Sequence, residues 1–166
     1  MTPRLATISL MTMFLIGVSS SSVPAQGDKI STASLKGITA VSVVVEGLPE
    51  GAKVLGLTEE TIQTDVELKL RLAGMQVVAP KEGIKLLGGP FVYVRVGIAD
   101  NHNAACIDVF LAQNAVLERN NQSAPGVITW FAGTLVTGPT AQGIRDRIKD
   151  SVDEFLNAWL SVNPKK

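Results

Sequence analysis

The residues best suited to chemistry crowd into one stretch, Asp100, His102, Cys106 and Asp108. An imidazole can move a proton, a thiolate can attack an electrophile, and an imidazole among carboxylates can hold a metal ion. His102 is the only histidine and Cys106 the only cysteine, so any Ser-His-Asp or Cys-His machinery must pass through His102. Asp100-Asn101-His102-Asn103 is turn chemistry, and a turn-forming preference accounts for His102 without a functional role. One imidazole and two carboxylates at such a turn match neither zinc nor calcium ligand spacing. Cys106 follows in a strand with no basic neighbour to lower its pKa and reads as a small, buried, inert apolar residue. The sequence therefore nominates no catalytic residue, no metal ligand and no cofactor-binding residue.

Other chemistry fares no better. Gly88-Gly89-Pro90 and the glycine of the Leu55–Leu57 turn match no phosphate-cradling pattern; they read as positions needing unusual backbone angles. Glu59-Glu60 and Asp153-Glu154 sit at helix ends or on solvated faces, and nothing nominates a glycosidase pair among the carboxylates. What remains is a candidate interaction surface. Tyr93, Arg95, Asp108 and Asn114 fall at polar-tolerant strand positions and can line an open sheet face. If Arg95 and Asp108 share a face of neighbouring strands, a cross-strand ion pair explains both. Trp130 and Trp159 are expected to pack between sheet and helix; the functional alternative adds Trp130 to this candidate surface as an aromatic patch for a partner.

The elements that position these residues follow an N-terminal segment of another kind. Arg4 is the only charge before Asp28, Leu5 to Val18 is apolar, and a serine tract leads to Val23-Pro24-Ala25. These zones predict a secretory signal peptide over 1–25, cleaved after Ala25. The apolar run, about 14 residues, falls short of the roughly 20 that a membrane-spanning helix needs. Cleavage leaves a chain of about 141 residues, the size of one domain. Losing Arg4 leaves 14 basic residues against 15 acidic ones. That near-neutral balance gives no electrostatic footprint for nucleic acid and no polybasic segment for an anionic membrane. A single cysteine forms no internal disulfide, so the fold rests on its apolar core. Asn121-Gln122-Ser123 is a glycosylation sequon, of consequence only in a eukaryotic host.

Residues 26–36 are polar and read as a flexible leader to a single α+β domain over 37–166. The β-branched run between Gly37 and Gly47 predicts a buried strand, and Leu48 to Leu57 a loop. Val66, Leu68, Leu70 and Leu72 alternate as in a strand, yet Thr58 suits an N-cap, Glu59 and Glu60 suit a first turn, and Gly74 suits a C′ position. Asp65–Lys69 and Glu67–Arg71 also fall at helical spacing. These signals predict a helix over Thr58–Ala73, with Leu68 and Leu72 off its main apolar face. Gln76–Ala79 reads as a short strand, 81–90 as a glycine-rich connection, and Phe91–Ala99, Ala105–Arg119 and Val127–Val136 as an antiparallel meander. Ile144, Ile148, Val152, Phe155, Leu156, Trp159 and Leu160 form the apolar stripe of a last helix opened by Pro139-Thr140 and ended by Pro164. The expectation is a mostly antiparallel sheet of about five strands in β-α-β-β-β-α order, with two helices packed on one face.

The buried strand Val41–Val45, the helix closing with Ala73-Gly74-Met75 before Val77-Val78, and the long C-terminal helix together resemble small exported bacterial domains. The N-terminal domain of the translocation protein TolB is one, and related modules occur in envelope lipoproteins. The ending Val152 to Leu160 followed by Asn163-Pro164 is also similar to endings of exported bacterial proteins. The resemblance covers most of the mature chain by pattern, transfers no functional residue, and departs in lacking both a lipobox cysteine and a second domain. It implies a docking or assembly role. The expected function is thus a non-enzymatic periplasmic or secreted module that binds an envelope protein, with no cofactor, no nucleic acid and no membrane span after processing. A carrier with an apolar pocket between sheet and C-terminal helix is the alternative, and a hydrolase stands third.

Overall fold

A computed structural model describes residues 32–164. The signal peptide expected over 1–25 lies outside the described residues, as does most of the expected leader. The first β-branched run forms β1 (Ala40–Val45). A five-residue helix α1 (Glu50–Val54) interrupts the segment expected to be a loop. Helix α2 (Glu59–Leu72) then forms where the competing signals placed it. Thr58 Oγ1 accepts the Thr61 amide at 3.1 Å, and Gly74 adopts φ +94°. The Met75 amide donates to the Leu70 carbonyl and the Gly74 amide to that of Arg71, which closes the helix as a Schellman motif. Strand β2 (Gln76–Val78) and a short helix α3 (Pro80–Gly83) follow. Strands β3 (Phe91–Ile98), β4 (Ala104–Leu117) and β5 (Gln122–Thr137) form the meander. Helix α4 (Ala141–Val162) ends the described fold, capped by Thr140 Oγ1 on the Gly143 amide.

The class is α+β with a five-stranded sheet, in the order β2-β1-β3-β4-β5. The sheet is mixed, which corrects the mostly antiparallel expectation: β1 pairs in parallel with both β2 and β3, and only β3–β4 and β4–β5 are antiparallel. The cause is the connectivity. A strand–helix–strand crossover returns the chain to the same end of the sheet, so its two strands run parallel. The chain crosses from β1 to β2 through α2, then back over β1 to β3 through α3. Right-handed crossovers in opposite directions put their helices on opposite faces. Helices α2 and α4 pack on the face carrying Val41, Val43, Val92, Val94, Ile107 and Val109. Helix α3 lies on the other, where a Cβ at Gly83 would overlap the Ser42 side chain. The expected β-α-β-β-β-α order is matched only in part: the chain runs β1-α1-α2-β2-α3-β3-β4-β5-α4, one strand and two helices more, and α3 lies on the face opposite α2 and α4.

The sheet–helix interface forms the apolar core. Trp130 and Phe155 meet edge to face at 5.2 Å between ring centroids, a favourable aromatic geometry. The Trp159 indole N–H donates to the Ile38 carbonyl at 2.7 Å. Leu35 is fully buried in the same core, and the Ser34 hydroxyl donates to the Thr129 carbonyl at 3.0 Å. The folded domain thus already includes residues 32–36, which the flexible leader over 26–36 was expected to contain. Two ion-pair sets fasten α2 to α4: Asp65 with Arg145 and Lys149, and Lys69 with Asp153. Of the two expected intrahelical pairs, only Glu67–Arg71 forms; Asp65 and Lys69 reach across to α4 instead. Leu68 and Leu72 remain exposed.

Candidate binding face on the sheet

Alternation along each strand sends every second side chain away from α2 and α4, and the registers align those side chains into rows. Ser42, Phe91, Ala112 and Ile128 form one row across β1, β3, β4 and β5. Val44, Tyr93, Phe110 and Phe131 form the next. Arg95, Asp108 and Gly133 form a third, and Gly97, Cys106 and Leu135 a fourth. Helix α3 sits over Ser42 at one end. Toward β5 the apolar side chains are open: Ile128 is 53% exposed, Phe131 55% and Leu135 70%.

Aromatic contacts hold the second row. Tyr93 stacks on Phe110 at 4.9 Å and 20° between ring planes, and meets Phe91 edge to face at 6.3 Å. Burial, then the charge and hydrogen bond of the neighbouring Glu46 carboxylate, raise the Tyr93 phenol above its ordinary pKa. Ionisation here would place an anion against rings and beside another carboxylate.

Beside this row lies the one buried charge of the face. Asp108 is 6% exposed, and its Oδ2 accepts Arg95 Nη2 at 2.6 Å and Nε at 2.9 Å. The register sets the two residues directly opposite one another, so the expected cross-strand ion pair forms. The Asp108 hydrogen bond and charge raise the Arg95 pKa. Asp108 Oδ1 also lies 3.8 Å from Cys106 Sγ. Cys106 is exposed on this face, contrary to its reading as a buried small apolar residue: its place in the alternation turns it away from the side of Ala105 and Ile107.

The structure brings Tyr93, Arg95 and Asp108 together on the open face. Trp130, 7% exposed, is instead packed in the sheet–helix core as expected, and its alternative place on the surface is not realised. Trp130 lies opposite Leu111 in the ladder and so points to the helices. Asn114 is occupied structurally. It lies in an irregular step between Gln113 and Ala115, its amide donates to the Gly88 carbonyl, and its Oδ1 accepts the Gly126 amide. The residues that sequence reading missed are Phe110, Phe131 and Leu135. Phe131 shares a strand with Trp130, and only the parity of the register decides which of the two faces out.

His102 takes φ +54° and packs its ring over Gly51 of α1, where a Cβ would come within 2.8 Å of it. Its place is therefore explained by a tight turn laid against α1. Among the described residues no three His, Cys, Asp or Glu side chains converge as a metal site. Larger grooves lie at the start of α2, lined by Leu48, Leu57 and Glu59, and at the end of the sheet, lined by Ile38, Leu87 and Gln113. Neither includes the apolar stripe of α4. Among the described residues no helix is long and apolar enough to cross a membrane.

No protein-family profile matches this chain, and no curated protein does. Among solved structures, the chain is similar to a dodecamer of a point variant of PelC from Paraburkholderia phytofirmans, at 13% identity over 75% of this chain and 89% of that one, with a TM-score of 0.42.

Proposed function

We propose that this chain is an exported, non-enzymatic docking module that presents the open face of its sheet to another protein of the cell envelope. The observation that carries the reading is the row Val44–Tyr93–Phe110–Phe131, which ends in a half-exposed phenylalanine flanked by exposed Ile128 and Leu135. Exposed aromatic rings over a rigid sheet offer a partner large apolar area at little entropic cost. The Arg95–Asp108 pair beside them supplies a fixed polar mark for orientation. The signal-peptide zones and the resemblance to TolB-like envelope modules support the location and the role.

The test is site-specific photo-crosslinking in the native host, with a photoreactive phenylalanine at position 93 or 131. A discrete adduct with a protein other than a second copy of this chain from both positions, and none from position 154 on the outer side of α4, is the expected result. Equal labelling from all three positions, or none, would overturn the reading. A co-purifying small molecule, seen by native mass spectrometry and lost on blocking the sheet–helix interface, would put the carrier in its place.

A further inference from the structure

Strand β5 ends the sheet, and among the described residues it pairs with β4 alone. Its sixteen residues, Gln122–Thr137, include no charged side chain. Edge strands are ordinarily guarded by charges, proline, bulges or shortness, because their free N–H and C=O groups template pairing with another chain. The opposite edge follows that rule, since β2 has three residues and runs into Pro80. On β5 the guards are confined to one end. Pro125 and Gly126, the latter at φ +64°, break the strand near the hairpin tip, and Ser34 engages the carbonyl of Thr129. From Trp130 to Thr137 the strand holds no charge and no proline to blunt the edge.

We infer that β5 is a dimerisation edge: two copies of this chain join through antiparallel β5–β5 pairing about a two-fold axis at Gly133. This register is self-complementary. It sets Phe131 opposite Leu135 of the second copy, Gly133 opposite Gly133, and Leu135 opposite Phe131. On the helix face it sets Trp130 opposite Val136 and Ala132 opposite Thr134. Every pair is apolar or small, and the uncharged strand meets its own copy without like-charge repulsion. The two exposed apolar side chains of each open face cover each other. The aromatic row of one sheet then runs through Phe131 into Leu135 and Cys106 of the other. An isologous pairing of this kind shares Phe131 and Leu135 with the proposed envelope-facing surface and leaves Tyr93 and the Arg95–Asp108 pair at the centre of the open face free.

The experiment is sedimentation equilibrium on the chain purified after export, together with disulfide trapping. Wild type is expected to show a monomer–dimer equilibrium, and Leu135→Lys to raise the dissociation constant at least about tenfold. Leu135 is 70% exposed, so this variant keeps the monomer folded. In a Cys106→Ala background, the double variant Phe131→Cys/Leu135→Cys is expected to oxidise to a covalent dimer, because cross-strand partners come within disulfide reach. Each single cysteine variant in the same background is expected to remain uncrosslinked. A chain monomeric at all concentrations, a dimer indifferent to Leu135→Lys, or protection in the monomer of the β5 amides that face away from β4 would each overturn the inference. A wild-type dimer linked through Cys106 would also overturn it, since that linkage demands packing of face on face.

Discussion

Gly133 stands directly opposite Asp108 in the β4–β5 ladder. A Cβ there would lie 2.9 Å from Asp108 Oδ1 and 2.7 Å from Phe131 Cζ. The missing side chain is what lets the Phe131 ring and the buried carboxylate share one site. Gly133→Ala is expected to destabilise the fold by about 1–3 kcal/mol, the usual cost of overpacking. Urea unfolding measures it. Phe131→Ala/Gly133→Ala should recover part of the loss, because removing the ring relieves one of the two clashes. A fully additive double variant would mean that the ring does not rest on this glycine.

Tyr93 is the only tyrosine in the chain, so a tyrosinate absorbance titration reports on it alone. Burial among the rings, with Glu46 as the second cause, raises its pKa. The midpoint is expected above the ordinary phenol value of about 10. A raised folded value means that its contribution to stability is complete below that pH and is lost as the pH climbs through the folded midpoint. Glu46→Gln should move the midpoint down only part of the way, since burial is the larger cause. A midpoint at or below about 10 would contradict the stacked, partly covered position of the ring.

Asp65 joins α2 to α4. Arg145 donates to it through Nε at 2.8 Å and Nη2 at 3.0 Å. The hydrogen bond from Arg145, opposed by burial and aided by the charges of Arg145 and Lys149, lowers the Asp65 pKa. A depressed carboxylate stabilises the fold above its unfolded value, about 3.9, and that contribution fades as the pH falls through the folded value. Asp65→Asn is expected to be less stable than wild type at neutral pH, with the gap closing below about pH 3.9. Denaturation midpoints measured across that range check the sign.

Much of this architecture is legible in the residues, and the failures share one cause. Helix α2 can be placed despite its alternating leucines because local groups close both its ends: the Thr58 hydroxyl, and Gly74 with Met75 behind it. The stripe from Ile144 to Trp159 is equally local. Strand direction is a property of connections, and the parallel pairing of β1 with β2 and β3 follows only once α2 and α3 are recognised as crossovers. Face assignment is more fragile still. Trp130 and Phe131 are adjacent, so strand parity alone decides which ring is buried, and the irregular step after Leu111 then puts Ile128 on the face of Phe131 although it is two residues from Trp130. Tyr93, Arg95 and Asp108 share the open face because their ladder keeps parity, and Trp130, opposite Leu111 in the same unbroken register, is turned by that parity into the sheet–helix core where it was expected to pack.

That parity also yields the sharpest contrast between fold and surface. Phe155 is buried and makes an edge-to-face contact with Trp130, so Phe155→Ala opens a cavity under the sheet and is expected to cost about 3–5 kcal/mol. Phe131 is a ring of the same size, yet it touches only the floor of an open face. Phe131→Ala is expected to cost about 1 kcal/mol in the monomer, while weakening β5 pairing and labelling of the envelope partner. Unfolding of both variants in the Leu135→Lys background, where pairing is already blocked, isolates the monomer term. Equal losses there would make Phe131 a core residue and leave the open face without its anchor. A small loss at Phe131 beside a large one at Phe155 would mean that the exposed ring is held for contacts outside its own chain.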